Sequence, residues 1–239
     1  MNKESLEKNL KLIIEDRVEK KLEEFMQEFV EYNSHTNLMS KNDVSLLFEK
    51  HIFDSLALNL FLQKYNLLNT KNIKMLDIGT GGGFPSIPVS IVFSNIDVVA
   101  LDSICKKIDF IRMIKTKLGV QNINPVCSRV EDLDVSNRES FDIVTSRAVS
   151  DLNVILEYSI PYLQVGSYFI AYKSKNVEKE LEEAKTALKL LGARVVDKIE
   201  YKLPLENDFT RYLIIIKKEK HTPKSYPRKN GLPKKSPLS

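Results

Sequence analysis

The chain has no tryptophan, two cysteines and three histidines among 239 residues. Cys105 and Cys127 form no CxxC pair and belong to no Cys/His cluster. This argues against a disulfide scaffold or a structural zinc site. No apolar run approaches the ~20 residues needed to cross a bilayer. The first twenty residues, MNKESLEKNLKLIIEDRVEK, are charged throughout and lack the apolar centre of a secretory signal. These absences predict a cytoplasmic protein with no membrane contact and no bound metal. The hydrophobic share is 43% and the charged share 28%, enough apolar material for a packed core, so disorder along the whole chain is excluded.

A strong excess of one sign of charge is lacking except at the end. Residues 217–239 carry eight basic side chains and one acid, so the rest of the chain is slightly acidic although the net charge is +4. A basic end of this kind meets a polyanion such as nucleic acid, or it is a solvated tail that aids solubility. Pro223, Pro227, Pro233 and Pro237 argue against an amphipathic membrane-anchoring helix there, and Tyr226 offers a ring on which an unpaired base stacks.

Apolar residues recur at helical spacing from Leu6 to Tyr32 (Leu6, Leu10, Ile13, Ile14, Val18, Leu22, Phe25, Phe29) and again from Leu46 to about Tyr65. The pattern then alternates. Short strands are predicted at 74–78, 97–101, 124–127, 141–145 and 167–172, with helices over 86–93, 104–118 and 152–163 between them. An amphipathic helix follows over 177–191, stopped by Gly192, and then two late strands at 194–201 and 212–216. Strand alternating with helix implies an α/β fold with a parallel sheet covered on both faces. The chain divides into a helical extension (1–66), a core (67–219) and a basic tail (220–239).

The chemistry is concentrated after the first strand, in Asp77-Ile78-Gly79-Thr80-Gly81-Gly82-Gly83-Phe84-Pro85. Four of the chain's eight glycines fall here. A glycine turn between strand and helix lets backbone approach a ligand at the carboxyl edge of a parallel sheet. Asp102 closes the second strand, about 20 residues on, where a carboxylate accepts the hydroxyls of a ribose; alternatively it caps the next helix. The spacing departs from the G-x-G-x-x-G of dinucleotide sites. Asp77 beside the turn repels a pyrophosphate and suits the cationic amino-acid end of S-adenosylmethionine, unless it binds loop amides instead. A methyltransferase is therefore favoured over a nicotinamide-dependent oxidoreductase, with a non-catalytic nucleotide-binding module as the third alternative.

DIGTGGGFPSIP, VVALDSICKKIDFI, SRVEDL, FDIVTSRAVSDL and FIAYKS, in this order, resemble the bacterial 16S ribosomal RNA guanine-N7 methyltransferases, also called the glucose-inhibited division protein B family. NLMS (37–40), KHIFDSL (50–56) and SYPRKNGLPKKSPL at the end are similar to further segments of that family. One departure is Ser34-His35-Thr36 inside the YNxxxNL segment. The resemblance implies a seven-stranded class I (Rossmann-like) methyltransferase sheet with S-adenosylmethionine as cofactor. Six strands would run parallel, and the last would insert antiparallel. The reaction implied is methylation of N7 of guanine 527 in 16S ribosomal RNA, free or within the small subunit or its precursor, by a monomer. Carried over by motif, the cofactor-binding residues are Asp77, Gly79, Gly81, Phe84, Asp102, Ser103, Val130, Glu131 and Arg147. Arg147, Lys173, Lys224, Arg228 and Lys229 are expected on the RNA.

Guanine N7 has a free lone pair and no proton, so its methylation needs positioning rather than a general base or any other catalytic side chain. Neither cysteine lies in the Pro-Cys setting of cytosine-C5 methylation. The Asn/Asp-Pro-Pro-aromatic loop of amine methylation is also absent after the fourth strand, where Ser146-Arg147-Ala148-Val149 stands. Arg147 is a donor to guanine O6 or phosphate, or else a structural ion pair. His51 and Asp54 share a helical face and either reach the mouth of the site or fix the helix to the sheet. Phe84 packs on adenosine or fills the turn. Lys173 contacts phosphate or ends its strand in solvent.

Overall fold

A computed structural model of the chain describes residues 1–147, 150–174, 177–205 and 209–238. Ala148 and Val149, the second half of the SRAV motif, lie outside the described residues. Five helices come first: α1 (Lys3–Leu10), α2 (Asp16–Thr36), α3 (Lys41–Val44), α4 (Phe53–Leu56) and α5 (Leu58–Lys64). A π-turn over Phe48–Ile52 runs directly into α4. Then come β1 (Ile73–Ile78), α6 (Ser86–Val92), β2 (Ile96–Asp102), α7 (Cys105–Lys117), β3 (Ile123–Cys127), β4 (Phe141–Arg147), α8 (Leu152–Ser159), β5 (Leu163–Lys173), α9 (Val177–Glu183), α10 (Lys185–Leu191), β6 (Ala193–Leu203), β7 (Phe209–Lys218) and α11 (Leu232–Lys235).

The sheet order is β3-β2-β1-β4-β5-β7-β6. The pairs β3–β2, β2–β1, β1–β4 and β4–β5 are parallel, and β7 is antiparallel to both β5 and β6. This is the mixed seven-stranded sheet expected. Successive strand residues point to opposite faces. Met75, Ile143, Ile170 and Ile215 therefore enter one apolar cluster, while Leu76, Val144, Phe169 and Ile216 enter the other. The first cluster is shared with the helical extension through Leu6, Leu10, Phe25 and Phe29, so residues 1–66 complete the core of the sheet. Phe84 and Phe110 join this contact, with ring centroids 5.3 Å (Phe29–Phe84) and 5.5 Å (Phe29–Phe110) apart. Such pairs contribute about 0.5–1.5 kcal/mol each beyond burial.

Several boundaries differ from the sequence reading for local reasons. Lys11 takes a left-handed conformation (φ 54°) that ends α1. The apolar stripe is interrupted there, and Ile13 is 79% exposed. The helix expected over 177–191 is two helices meeting at Ala184, with Gly192 (φ 78°) closing the second. The two cysteines, expected to stay apart from any disulfide, are bonded to each other. The reason is register: Cys127 pairs with Asp102 across β3–β2, and α7 begins at Cys105 after a short turn, which brings the two side chains together.

The tail folds back on the body and forms one short helical turn, α11, against α8. Arg228 makes a forked ion pair with the buried Glu157 (Nη2–Oε2 2.7 Å, Nε–Oε1 2.9 Å). Arg138 donates to the carbonyls of Thr222 and Tyr226 (2.7 and 2.6 Å). Among the described residues no helix is long and apolar enough to cross a membrane.

Candidate functional site

The strand order reverses between β1 and β4, and in open parallel sheets the crevice at such a switch point is where ligands bind. The glycine turn occupies it. The N–H groups of Gly79 and Thr80 donate to Leu101 O (2.8 and 3.0 Å), and those of Gly83 and Phe84 to Thr80 O (2.9 and 3.0 Å). A Cβ on Gly82 would lie 2.7 Å from the Phe29 ring, and one on Gly83 2.4 Å from Ile87. At those two positions the turn must be bare to pack against the extension and α6.

Asp77 does not reach the open side of this turn. It is fully buried and accepts from Ser86 Oγ (2.7 Å) and Thr145 Oγ1 (3.1 Å), with Thr80 Oγ1 donating to Ser86 (2.8 Å). Burial pushes its carboxyl up to about 6, against these hydrogen bonds. The expectation of direct ligand contact is thus replaced by a role behind the loop, where Asp77 ties β1 to α6 and β4. The signal for contact was proximity in sequence; the alternation of strand side chains turned this one inward.

Two adjoining cavities open at the carboxyl edge. The first, ≈ 330 Å³, is a cleft walled by Gly79, Asp102, Ser103, Val130 and Glu131, with Tyr158 beyond. The second, ≈ 430 Å³, is a mouth walled by Gly79–Gly82, Phe84, Lys50, His51, Asp54, Phe209 and Arg211. Gly79, Lys107 and Arg147 border both. In the cleft, Asp102 accepts the N–H groups of Gly81 (3.0 Å) and Ile104 (2.9 Å), while Lys107 Nζ stands 3.9 Å away. It therefore caps the entry to α7 and also faces the cavity. Glu131 is buried, and its Oε1 has no hydrogen-bond partner among the described residues.

The mouth is organised around Asp54. Its carboxylate accepts from Arg147 Nη1 (3.0 Å), Arg211 Nε and Nη2 (both 3.0 Å) and Tyr201 Oη (2.5 Å). Burial favours the neutral acid, yet the two guanidiniums hold Asp54 below the usual carboxylate range. Burial likewise opposes the charge of Arg211, but Asp54 keeps its pKa above the ordinary value. Arg147 also donates to Lys50 O (3.2 Å) and lies 2.9 Å from His51 Nδ1. A guanidinium only donates, so His51 Nδ1 is an acceptor and its proton resides on Nε2. Burial and then the charge of Arg147 push His51 down to about 4, so the imidazole is neutral at physiological pH. Phe84, 4% exposed, packs among Phe25, Phe29 and His51, with the Arg147 guanidinium carbon 5.3 Å from its ring centroid.

The structure therefore brings Gly79, Gly81, Phe84, Asp102, Ser103, Val130, Glu131 and Arg147 to the two cavities. The residues expected on RNA scatter. Lys173 donates to Glu180 (2.5 Å) and to Ser150 O (3.1 Å), and Arg228 is committed to Glu157. Lys224 and Lys229 are exposed on the tail. Sequence reasoning missed Lys50, Lys107, Arg211 and Phe209. Arg211 carries a faint signal, being a lone cation in the strand sequence FTRYLIII.

The sheet order with its single antiparallel strand and its glycine turn defines a class I S-adenosylmethionine-dependent methyltransferase fold. Solved structures agree at the level of fold: TYW2 of M. jannaschii in complex with AdoMet (TM-score 0.50, 13% identity, 66% of this chain and 74% of that chain), and TYW2 of P. horikoshii in complex with MeSAdo (TM-score 0.51, 11% identity, 64% and 60%). The family model for GidB, rRNA small subunit methyltransferase G, matches residues 18–204. A curated relative of that name in Streptococcus gordonii is 40% identical over 225 residues, covering 93% of this chain and 92% of the relative. One in Streptococcus pyogenes is 41% identical over 216 residues, covering 90% and 89%. The chain belongs to the rRNA small subunit methyltransferase G family.

Proposed function

We propose that the cleft holds S-adenosylmethionine, that the mouth receives a guanine of 16S ribosomal RNA, and that methyl is transferred to its N7. The observation that carries this reading is the pair of cavities joined at Gly79 and Arg147, one built for a nucleoside and the other cationic. The residues present fit the cofactor. Glu131 Oε1 is a buried acceptor with Arg129 Nη1 3.8 Å away but, among the described residues, no hydrogen bond, which an adenine amino group would supply. Asp102 and Ser103 offer hydrogen-bonding groups to a ribose, Val130 offers an apolar wall, and Gly79 and Gly81 leave room for the remainder.

S-adenosylmethionine, when bound, supplies an electrophilic sulfonium methyl. Everything else is positioning, which contributes up to about 7–11 kcal/mol when reacting groups are well aligned. N7 carries no proton, so no base is needed; the lone pair of His51 Nδ1 is engaged by Arg147, and the carboxylate of Asp54 is occupied by three donors. Lys50, paired with Asp43 (3.2 Å), and Arg147 and Arg211, which share the single carboxylate of Asp54, leave the mouth with an excess of positive charge for phosphate or guanine O6. Lys224 and Lys229 extend that charge along the tail, whereas Lys173 and Arg228 serve internal carboxylates first. The target is guanine 527 in the small subunit or its precursor, and the enzyme acts as a monomer in the cytoplasm. Its parts are the helical extension (1–66), the cofactor core (67–219) and the basic tail (220–239).

Purified protein incubated with labelled S-adenosylmethionine and small-subunit particles, or with protein-free 16S RNA, tests this. Label is expected at N7 of a single guanine. Absence of transfer to both substrates overturns the reading.

A further inference from the structure

The methylated nitrogen lies on the Hoogsteen edge of guanine, so that edge must stay open toward the donor. The face and the Watson–Crick edge remain for the enzyme to hold, and proteins that grip a single unpaired base commonly stack its face on an aromatic ring. Among the described residues three rings border the mouth: His51, Phe84 and Phe209. Phe84 is enclosed by Phe25, Phe29 and His51, and His51 lies against Phe84 and Arg147. Phe209 is different. It is 40% exposed, begins β7, and has no ring or cation partner among the described residues. Its register partner on β6 is Leu203, a buried residue that borders the same cavity. Arg211, two residues along β7 and so on the same side of the strand, carries the guanidinium fixed to Asp54.

We propose that Phe209 is the platform on which the target guanine stacks, a substrate-positioning residue with Leu203 behind it and Arg211 beside it. The inference rests on the function proposed above and adds to it the mode of recognition: an unpaired base turned out of its stack and gripped by one face.

The test uses the full chain. Stacking platforms lose about 5- to 150-fold per base on truncation to alanine. Phe209→Ala is therefore expected to lower kcat/KM for unmethylated small-subunit particles within that range, while S-adenosylmethionine affinity by calorimetry stays within about twofold of wild type. Phe209→Leu keeps the apolar bulk without a π-face and is expected to be nearly as impaired. Phe209→Tyr and Phe209→Trp are expected to restore activity. The chain has no tryptophan, so Phe209→Trp is also a single fluorescent reporter. Unmethylated protein-free 16S RNA is expected to quench it more strongly than the same RNA with uridine at the target position. Wild-type kcat/KM in Phe209→Leu, or equal quenching by the two RNAs, overturns the proposal. Absence of methyl transfer by the wild-type chain overturns the parent reading instead, and the quenching comparison still decides stacking by itself.

Discussion

The two halves of the site are built differently. The cleft takes its wall from the ends of neighbouring parallel strands: Gly79 after β1, Asp102 at the end of β2, Val130 and Glu131 after β3. Strand register alone aligns these ends, so three short segments suffice to wall it. The mouth joins Asp54 from α4, Arg147 from the end of β4 and Arg211 from β7, positions 93 and 157 residues from Asp54 in the case of the two arginines. No single register aligns them. They are held by charge withdrawn from water, which is stable only while every partner is present. A cleft of this kind tolerates loss of one group with a loss of affinity, whereas the mouth responds by losing structure.

Asp54→Ala probes that contrast most severely. Removing one member of a buried ion pair costs about 3–5 kcal/mol, here because two guanidiniums lose their counter-charge. For a domain of this size that corresponds to a fall of about 6–20 °C in Tm, to be read by thermal unfolding. A shift below about 2 °C would mean that water replaces the carboxylate and that the mouth is less desolvated than its geometry implies.

A pair of opposed pH dependences separates the halves next. Asp77, behind the glycine turn, has its pKa raised from 3.8 to about 6. Its protonated form favours folding, so its contribution is complete below about 4 and is lost as pH rises through 6. His51, in the mouth, is lowered from 6.5 to about 4. Its contribution is complete above 6.5 and is lost as pH falls toward 4. Each is on the order of 3 kcal/mol at most. Urea unfolding between pH 4.5 and 7.5 should show Asp77→Asn gaining stability relative to wild type as pH rises, and His51→Gln gaining as pH falls. Parallel difference curves would contradict both assignments.

Asp102→Ala should act on affinity. Hydrogen bonds to a charged group contribute about 1.5–3 kcal/mol, so calorimetry with S-adenosylmethionine should register a loss of about 10- to 150-fold. Unchanged affinity would leave Asp102 as the cap of α7 and the acceptor for Gly81, and no more.

The smallest effect belongs to the tail. Replacing Lys224 and Lys229 by glutamine should leave cofactor affinity unaltered. The slope of log K for RNA against log salt should become shallower by about 0.7–0.9 for each phosphate that the tail no longer neutralises, and an identical slope would reduce these lysines to solubility. Arg228→Ala should instead lower Tm, because it strands the buried Glu157.

The alternation of strand and helix, the glycine turn and Asp102 were legible because each depends on a short segment: period-two alternation, a cluster of glycines, an acid at the end of a strand. The antiparallel last strand and the places of Ser103, Val130 and Glu131 came from the family resemblance. Asp77 was misassigned because adjacency to the turn does not report which way a strand residue points. The mouth was largely illegible. Nothing local to Arg211 or Phe209 announces Asp54 or the glycine turn, and the role of Arg228 is visible only once Glu157 is seen buried beside it. The disulfide was missed for a similar reason, since the approach of the start of α7 to the end of β3 is not encoded in the spacing of two isolated cysteines.

The π-turn over Phe48–Ile52 sets an angular phase. One residue advances an α-helix by about 100°, so shortening this turn by a single residue to ordinary helical winding would swing α4 around its axis by roughly that amount. Asp54 would then face away from the sheet, and both guanidiniums would lose the partner that keeps them ordered. The length of one helical turn, distant in sequence from the glycine loop, thus dictates whether the far side of the sheet can close the mouth at all.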